Sequence, residues 1–142
     1  MIVRPWVTFD SDLPYDGIED EERFVQWPSK NVAEAIAEML RRLGCKDVDI
    51  DVLDERGYEV TFSIGNRQFG SRVTMIEQYL VGFSQYSWWD KVMKRLRPEY
   101  LDILRRMDAE LKRDGRFHNM RWFAADEVLK RGIEGALCPI EP

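Results

Sequence analysis

The chain reads as an α+β domain, with a mainly antiparallel sheet of three to five strands and four or five helices packed mostly on one side. Three observations carry this expectation. Residues 47–73 alternate apolar and polar side chains in successive short runs. Residues 29–44 and 98–115 instead repeat their apolar side chains at helical spacing. Repeated strand–helix–strand units, which a parallel nucleotide-binding sheet needs, are missing from the order. At 142 residues the chain matches the commonest domain size, so residues 1–142 are expected to form a single domain. A hydrophobic fraction of 44% argues against a disordered chain.

Ile2 to Phe9 supply strand formers, with Pro5 placing that strand at an edge. Asp10 to Glu22 hold Pro14 and Gly17 among acids, the composition of a surface loop over about 10–22. Trp27 and Pro28 lead into a helix that either Ser29 or Asn31 caps; Asn31 with Glu34 forms a capping box. Val32, Ile36, Met39, Leu40 and Leu43 give this helix its buried face, and Gly44 stops it.

The period then changes from helical to alternating. Val48, Ile50 and Val52 alternate with Asp47, Asp49 and Asp51, so one strand face meets the core and the other meets water. After a turn at Asp54-Glu55-Arg56-Gly57, Tyr58, Val60, Phe62 and Ile64 define a second strand. Gly65-Asn66 tolerate the positive φ of a two-residue hairpin, and Phe69, Ser71 and Val73 return as a third strand, where Gly70 is a candidate bulge.

Helices are expected at Thr74 to Phe83, at Trp88 to Arg97, and from Pro98 to just before Gly115, since proline suits a first helical turn. Phe117 to Phe123 read as a final strand or extended segment. Ala124 to Arg131 place acids early and bases late, as a short helix prefers. Gly132, Gly135, Pro139 and Pro142 make about 132–142 a loose tail.

Net charge is −5 and unevenly spread. Residues 1–22 carry seven acids against Arg4, and residues 45–59 carry six acids against Lys46 and Arg56. Residues 60–125 are locally basic, with twelve bases against seven acids. This polarity suits a basic protein partner and argues against nucleic acid. The N-terminal stretch has no long apolar run, so neither a signal peptide nor a membrane partner is expected. With two cysteines in no metal or redox spacing, the expectation is a cytoplasmic chain without a cofactor.

The sequence contains no HExxH, G-x-S-x-G or Cys-x-x-Cys motif. The lone histidine, His118, rules out multi-histidine metal centres. Gly65 to Gly70 lack the Lys-Ser/Thr ending of a phosphate loop. Asp47, Asp49 and Asp51 form the most suggestive constellation. Alternate strand carboxylates stand ~6.6 Å apart, so they hold a divalent ion only with further oxygen ligands. Otherwise they form a solvated face or a surface for a basic partner. The aromatic run from Tyr79 to Trp89 adds an anchor, because adjacent Trp88 and Trp89 cannot share one helix face.

The leading expectation is therefore a non-catalytic protein-binding module, most concretely a bacterial immunity or antitoxin-like inhibitor. Glu19, Glu21, Asp47, Asp49 and Asp51 would meet the partner's cations, and Trp88 would supply buried area. Two alternatives stay open. One is a metal-dependent hydrolase or nuclease using Asp49, Asp51 and His118; the other is an accessory subunit of a homo-oligomer, such as a homodimer centred on the aromatics.

Overall fold

A computed structural model describes residues 1–21, 23–53 and 57–142, with the side chains of Trp88 and Lys91 outside that description. Strands β1 (Ile2–Val3), β2 (Trp6–Ser11), β3 (Ile18–Asp20) and β4 (Arg23–Gln26) precede helix α1 (Lys30–Arg42). Next come β5 (Lys46–Leu53), β6 (Gly57–Ile64), β7 (Arg67–Met75) and β8 (Tyr79–Gln85). Helices α2 (Trp88–Val92) and α3 (Pro98–Arg113) and strands β9 (Phe117–Phe123) and β10 (Ile140–Glu141) complete the order. Six strands form one antiparallel sheet in the order β5-β6-β7-β8-β2-β9, while β1–β10 and β3–β4 are separate two-stranded ladders.

Cross-strand register explains how one sheet face is buried along the whole sheet. Tyr58 pairs with Val73, Phe62 with Phe69, Val73 with Val81, and Val81 with Val7, which in turn faces Trp122. Side chains at paired positions share a face, so these residues form one continuous apolar layer. Val7, Val60, Val73, Val81 and Trp122 are fully buried within it. Helices α1 and α3 cover this layer with Val32, Ile36, Met39 and Leu40 from one and Ile103, Leu104, Met107 and Leu111 from the other.

Helix α1 follows its expected apolar spacing, and Gly44 at φ +89° stops it. Its start differs from expectation. Ser29 takes a left-handed conformation and its hydroxyl makes no capping bond. The Asp16 carboxylate arrives from the preceding loop instead, accepting the amides of Ser29 at 2.9 Å and Asn31 at 2.7 Å. Asn31 spends its side-chain amide on the Pro14 carbonyl, 2.6 Å away. The acidic loop thus supplies the first strand of a hairpin, β3–β4, and a helix cap. At the far end, Arg106 of α3 donates to the Leu43 carbonyl at 3.0 Å, where α1 leaves carbonyls without helical partners.

The expected count of four or five helices is overturned: among the described residues there are two long helices and the five-residue α2, and the main sheet has six strands rather than three to five. Thr74 and Met75 end β7 and Tyr79 to Phe83 lie in β8, with a bend at 76–78 between them. Helix α2 ends at Val92, and Lys94 beyond it sits at φ +53°, so the helix expected to Arg97 stops a turn after it begins. Ala124 to Arg131 make a single turn, in which the Val128 amide donates to the Ala124 carbonyl. Phe117 to Phe123 do form a strand. The end read as a loose tail is paired: Ala136 exchanges backbone hydrogen bonds with Trp122, and β10 joins β1. The turn expected at Asp54-Glu55-Arg56 lies outside the described residues.

Candidate functional site

The sheet face opposite the helices is built differently. Asp49 pairs with Thr61, Thr61 with Gly70, and Gly70 with Ser84. In the next row Asp51 pairs with Glu59, Glu59 with Arg72, Arg72 with Gly82, and Gly82 with Trp6. The two glycines are needed there: a Cβ on Gly82 would run into the Trp6 indole, and one on Gly70 into the Tyr86 ring. Toward β9 this face is roofed by residues 124–135, which bury Phe123 and Leu80 and leave a depression of about 380 Å³ beside Leu129 and Ile133. Toward β5 it stays open to solvent.

The acidic border of that open face is the candidate site, and the strand geometry refines it. Lys46 pairs with Ser63 while Asp49 pairs with Thr61, so β5 holds one more residue than β6 between those pairs. This is a β-bulge. Asp47, at φ +52°, lies in the extra step. Even alternation over all three aspartates therefore fails: Asp49 and Asp51 share the open face with Glu59, and Asp47 stands at the bulge. All three aspartates are exposed. Val48 and Ile50 point to the core, but Val52 remains 68% exposed beyond the helical cover.

Partnering separates these acids from several on and around α3 and β9. Asp90 is held by Arg97 at 2.9 Å, Glu110 lies between Arg42 and Arg113, and Asp108 meets Lys112 at 2.9 Å. Asp114 is bound by Arg116, whose hydrogen bonds hold its carboxyl below the usual carboxylate range. Asp10 is likewise lowered, by hydrogen bonds from Asn119 and Gln78. Among the described residues, no ion pair engages Asp47, Asp49, Asp51 or Glu59.

The other predicted residues fall elsewhere. Glu19 and Glu21 are exposed on or beside the β3–β4 hairpin. That hairpin is a separate ladder from the main sheet and leads to Trp27, whose carbonyl accepts the Tyr58 hydroxyl at 2.8 Å. Glu22 and the Trp88 side chain lie outside the description. Trp89 is 66% exposed.

His118 sits on β9, at the sheet edge opposite β5, five strand spacings or ~24 Å from Asp49 and Asp51. It contacts Asp12 through Nε2 at 2.9 Å. The three residues of the hydrolase alternative therefore cannot converge on one substrate or ion. Among the described residues, no group of three or more His, Cys, Asp or Glu side chains is placed to hold a metal, and no helix is long and apolar enough to cross a membrane.

Sequence reasoning missed Tyr86 and Gln68. A recess of about 290 Å³ joins Asp47, Asp49, Ser63, Gln68 and Tyr86. An adjoining one of about 350 Å³ continues from Gln68 and Tyr86 to Ser87 and Asp90 at the start of α2. The acidic border and α2 thus meet at one end of the sheet. Gly70 was the only sequence signal for this, as a residue too small to fill its own place. No protein family, curated protein or solved structure matches the chain.

Proposed function

We propose that this chain is a non-catalytic protein-binding module that presents the acidic border of its open sheet face to a basic partner. The observation that carries the reading is the contrast in partnering. Asp90, Asp108, Glu110 and Asp114, on α3 or beside it, are met by arginines and lysines of the same chain, whereas Asp47, Asp49 and Asp51 are exposed and, with the half-buried Glu59, have no ion pair among the described residues. Cations of a partner would supply what the chain does not, speeding encounter and fixing orientation. In its most concrete form the module is a cytoplasmic immunity or antitoxin-like inhibitor that covers a basic toxin. Free Cys45 and Cys138 suit a reducing compartment.

Affinity capture from the native host tests this, comparing the natural chain with Asp47→Lys/Asp49→Lys/Asp51→Lys. The natural chain is expected to retain a Lys/Arg-rich protein that the reversed chain loses. Equal retention by both would remove this face as the binding surface.

A further inference from the structure

Residues 86–97 are amphipathic in the wrong direction for a surface segment of a monomer. Trp89, Val92, Met93 and Leu96 follow the i, i+3, i+4, i+7 spacing that ordinarily marks the face turned to a core. Here they are 66%, 53%, 55% and 48% exposed, while the charged Asp90 between them is 2% exposed.

Polar anchors hold the segment this way round. Arg97 donates through Nε to Asp90 at 2.9 Å and through its amide to Gln85 Oε1 at 3.0 Å. The Gln85 side-chain amide donates back to the Arg95 carbonyl at 2.8 Å. Burying a charged pair costs desolvation, and here it goes with apolar side chains left in water. Lys94 and Arg95 are exposed beside those side chains, and the segment carries four bases against Asp90 alone.

We infer that, while no foreign basic partner is bound, the acidic border is covered by a second copy of this chain, whose 86–97 segment is the basic, apolar surface that border fits. The inference rests on the proposed reading of the border as a docking face. Its geometric basis is adjacency: the recess containing Asp47 and Asp49 and the one containing Asp90 share Gln68, Phe69 and Tyr86. An isologous two-fold interface requires a patch that complements itself. With acid and base side by side, a two-fold axis between them sets each copy's β5 against the other's Lys94 and Arg95. The exposed Trp89 and Met93 are then enclosed near the centre, where apolar anchors contribute most.

Charge exchange tests this directly, using the full chain and two variants, Asp49→Lys/Asp51→Lys and Lys94→Glu/Arg95→Glu. Sedimentation velocity should find the natural chain at twice its 16.8 kDa monomer mass, with dissociation favoured by salt. Each variant alone sets like charges together and should raise the dimer dissociation constant on the order of 100-fold or more. An equimolar mixture of the two restores both contacts and should recover a heterodimer. All the altered side chains are exposed, and circular dichroism checks that each variant is folded.

A strictly monomeric natural chain, a dimer indifferent to both exchanges, or a mixture that stays monomeric would each overturn the inference. A monomer whose capture of a different basic protein is lost on reversing Asp47, Asp49 and Asp51 would sink the self-association while sparing the proposed reading. A monomer whose capture is insensitive to that reversal would sink both.

Discussion

Asp16→Ala is expected to loosen the start of α1 although Asp16 lies well outside the helix. Its two carboxylate oxygens accept the amides of Ser29 and Asn31 at 2.9 and 2.7 Å, two of the donors that a helix start leaves unpaired. Cap removal typically costs ~1 kcal/mol, and the loss of negative charge near the helix N-terminus adds ~0.3–1 kcal/mol. Neither Ser29 nor Asn31 takes over, since Ser29 makes no capping bond and the Asn31 side-chain amide is engaged with Pro14. The total is about 1.3–2 kcal/mol. With a urea slope of about 2 kcal/mol/M, the unfolding midpoint should fall by roughly 0.65–1 M. The control is Asp20→Ala on β3, an exposed acid with no ion pair among the described residues, which should leave the midpoint nearly unchanged. If Asp16→Ala behaves like Asp20→Ala, the cap has been misassigned.

Two further predictions concern the sheet and its borders. Gly82→Ala should displace the Trp6 ring that occupies the place of its Cβ, lowering stability by about 1–3 kcal/mol and changing the tryptophan fluorescence; an unchanged spectrum and midpoint would contradict the close seat. Asp10 and Asp114 have carboxyls lowered by hydrogen bonds from Asn119 and Gln78 and from Arg116. Their stabilisation is fully present above the ordinary carboxylate value near pH 4 and is lost as pH falls through the lowered folded values. The gap in urea midpoint between the natural chain and Asp10→Asn should therefore shrink on acidification, and a constant gap would refute the assignment.

Where one face of an element was buried and the other wet, its residues could be read directly. Tyr58, Val60 and Phe62 alternate against Glu59 and Thr61, and the Gly65-Asn66 turn sets the register that pairs Phe62 with Phe69. Strand β8 could not be read this way. Tyr79, Val81 and Phe83 face the helices, but Leu80 is roofed by the 124–135 segment and Gly82 by Trp6. Both faces are covered, alternation disappears, and the run looks as helical as it does extended. The α1 cap was equally hidden, because Asp16 reaches the helix from thirteen residues before Ser29.

The candidate site was half visible. Alternation marked Asp49 and Asp51 as a pair on one face, but the bulge that sets Asp47 apart depends on pairing with β6. The distance from β5 to His118 depends on strand order, which side-chain periodicity does not encode. The outward turn of Trp89 and Met93 contradicts their helical spacing. It follows from the anchoring of Asp90 by Arg97, a contact between residues on either side of a broken helix.

Zero-length carbodiimide cross-linking, mapped by peptide mass spectrometry, most directly tests the claim that the β5 border is a docking face. The reagent joins a carboxylate to a lysine only where the two already touch, and isotope-labelled chain separates links between copies from links within one. Intermolecular links should originate from Asp47, Asp49 or Asp51, to Lys94 of a second copy or to a lysine of another protein. Intermolecular links confined to other carboxylates, such as Glu77 or Asp126, with the β5 aspartates unmodified by any partner, would contradict the account.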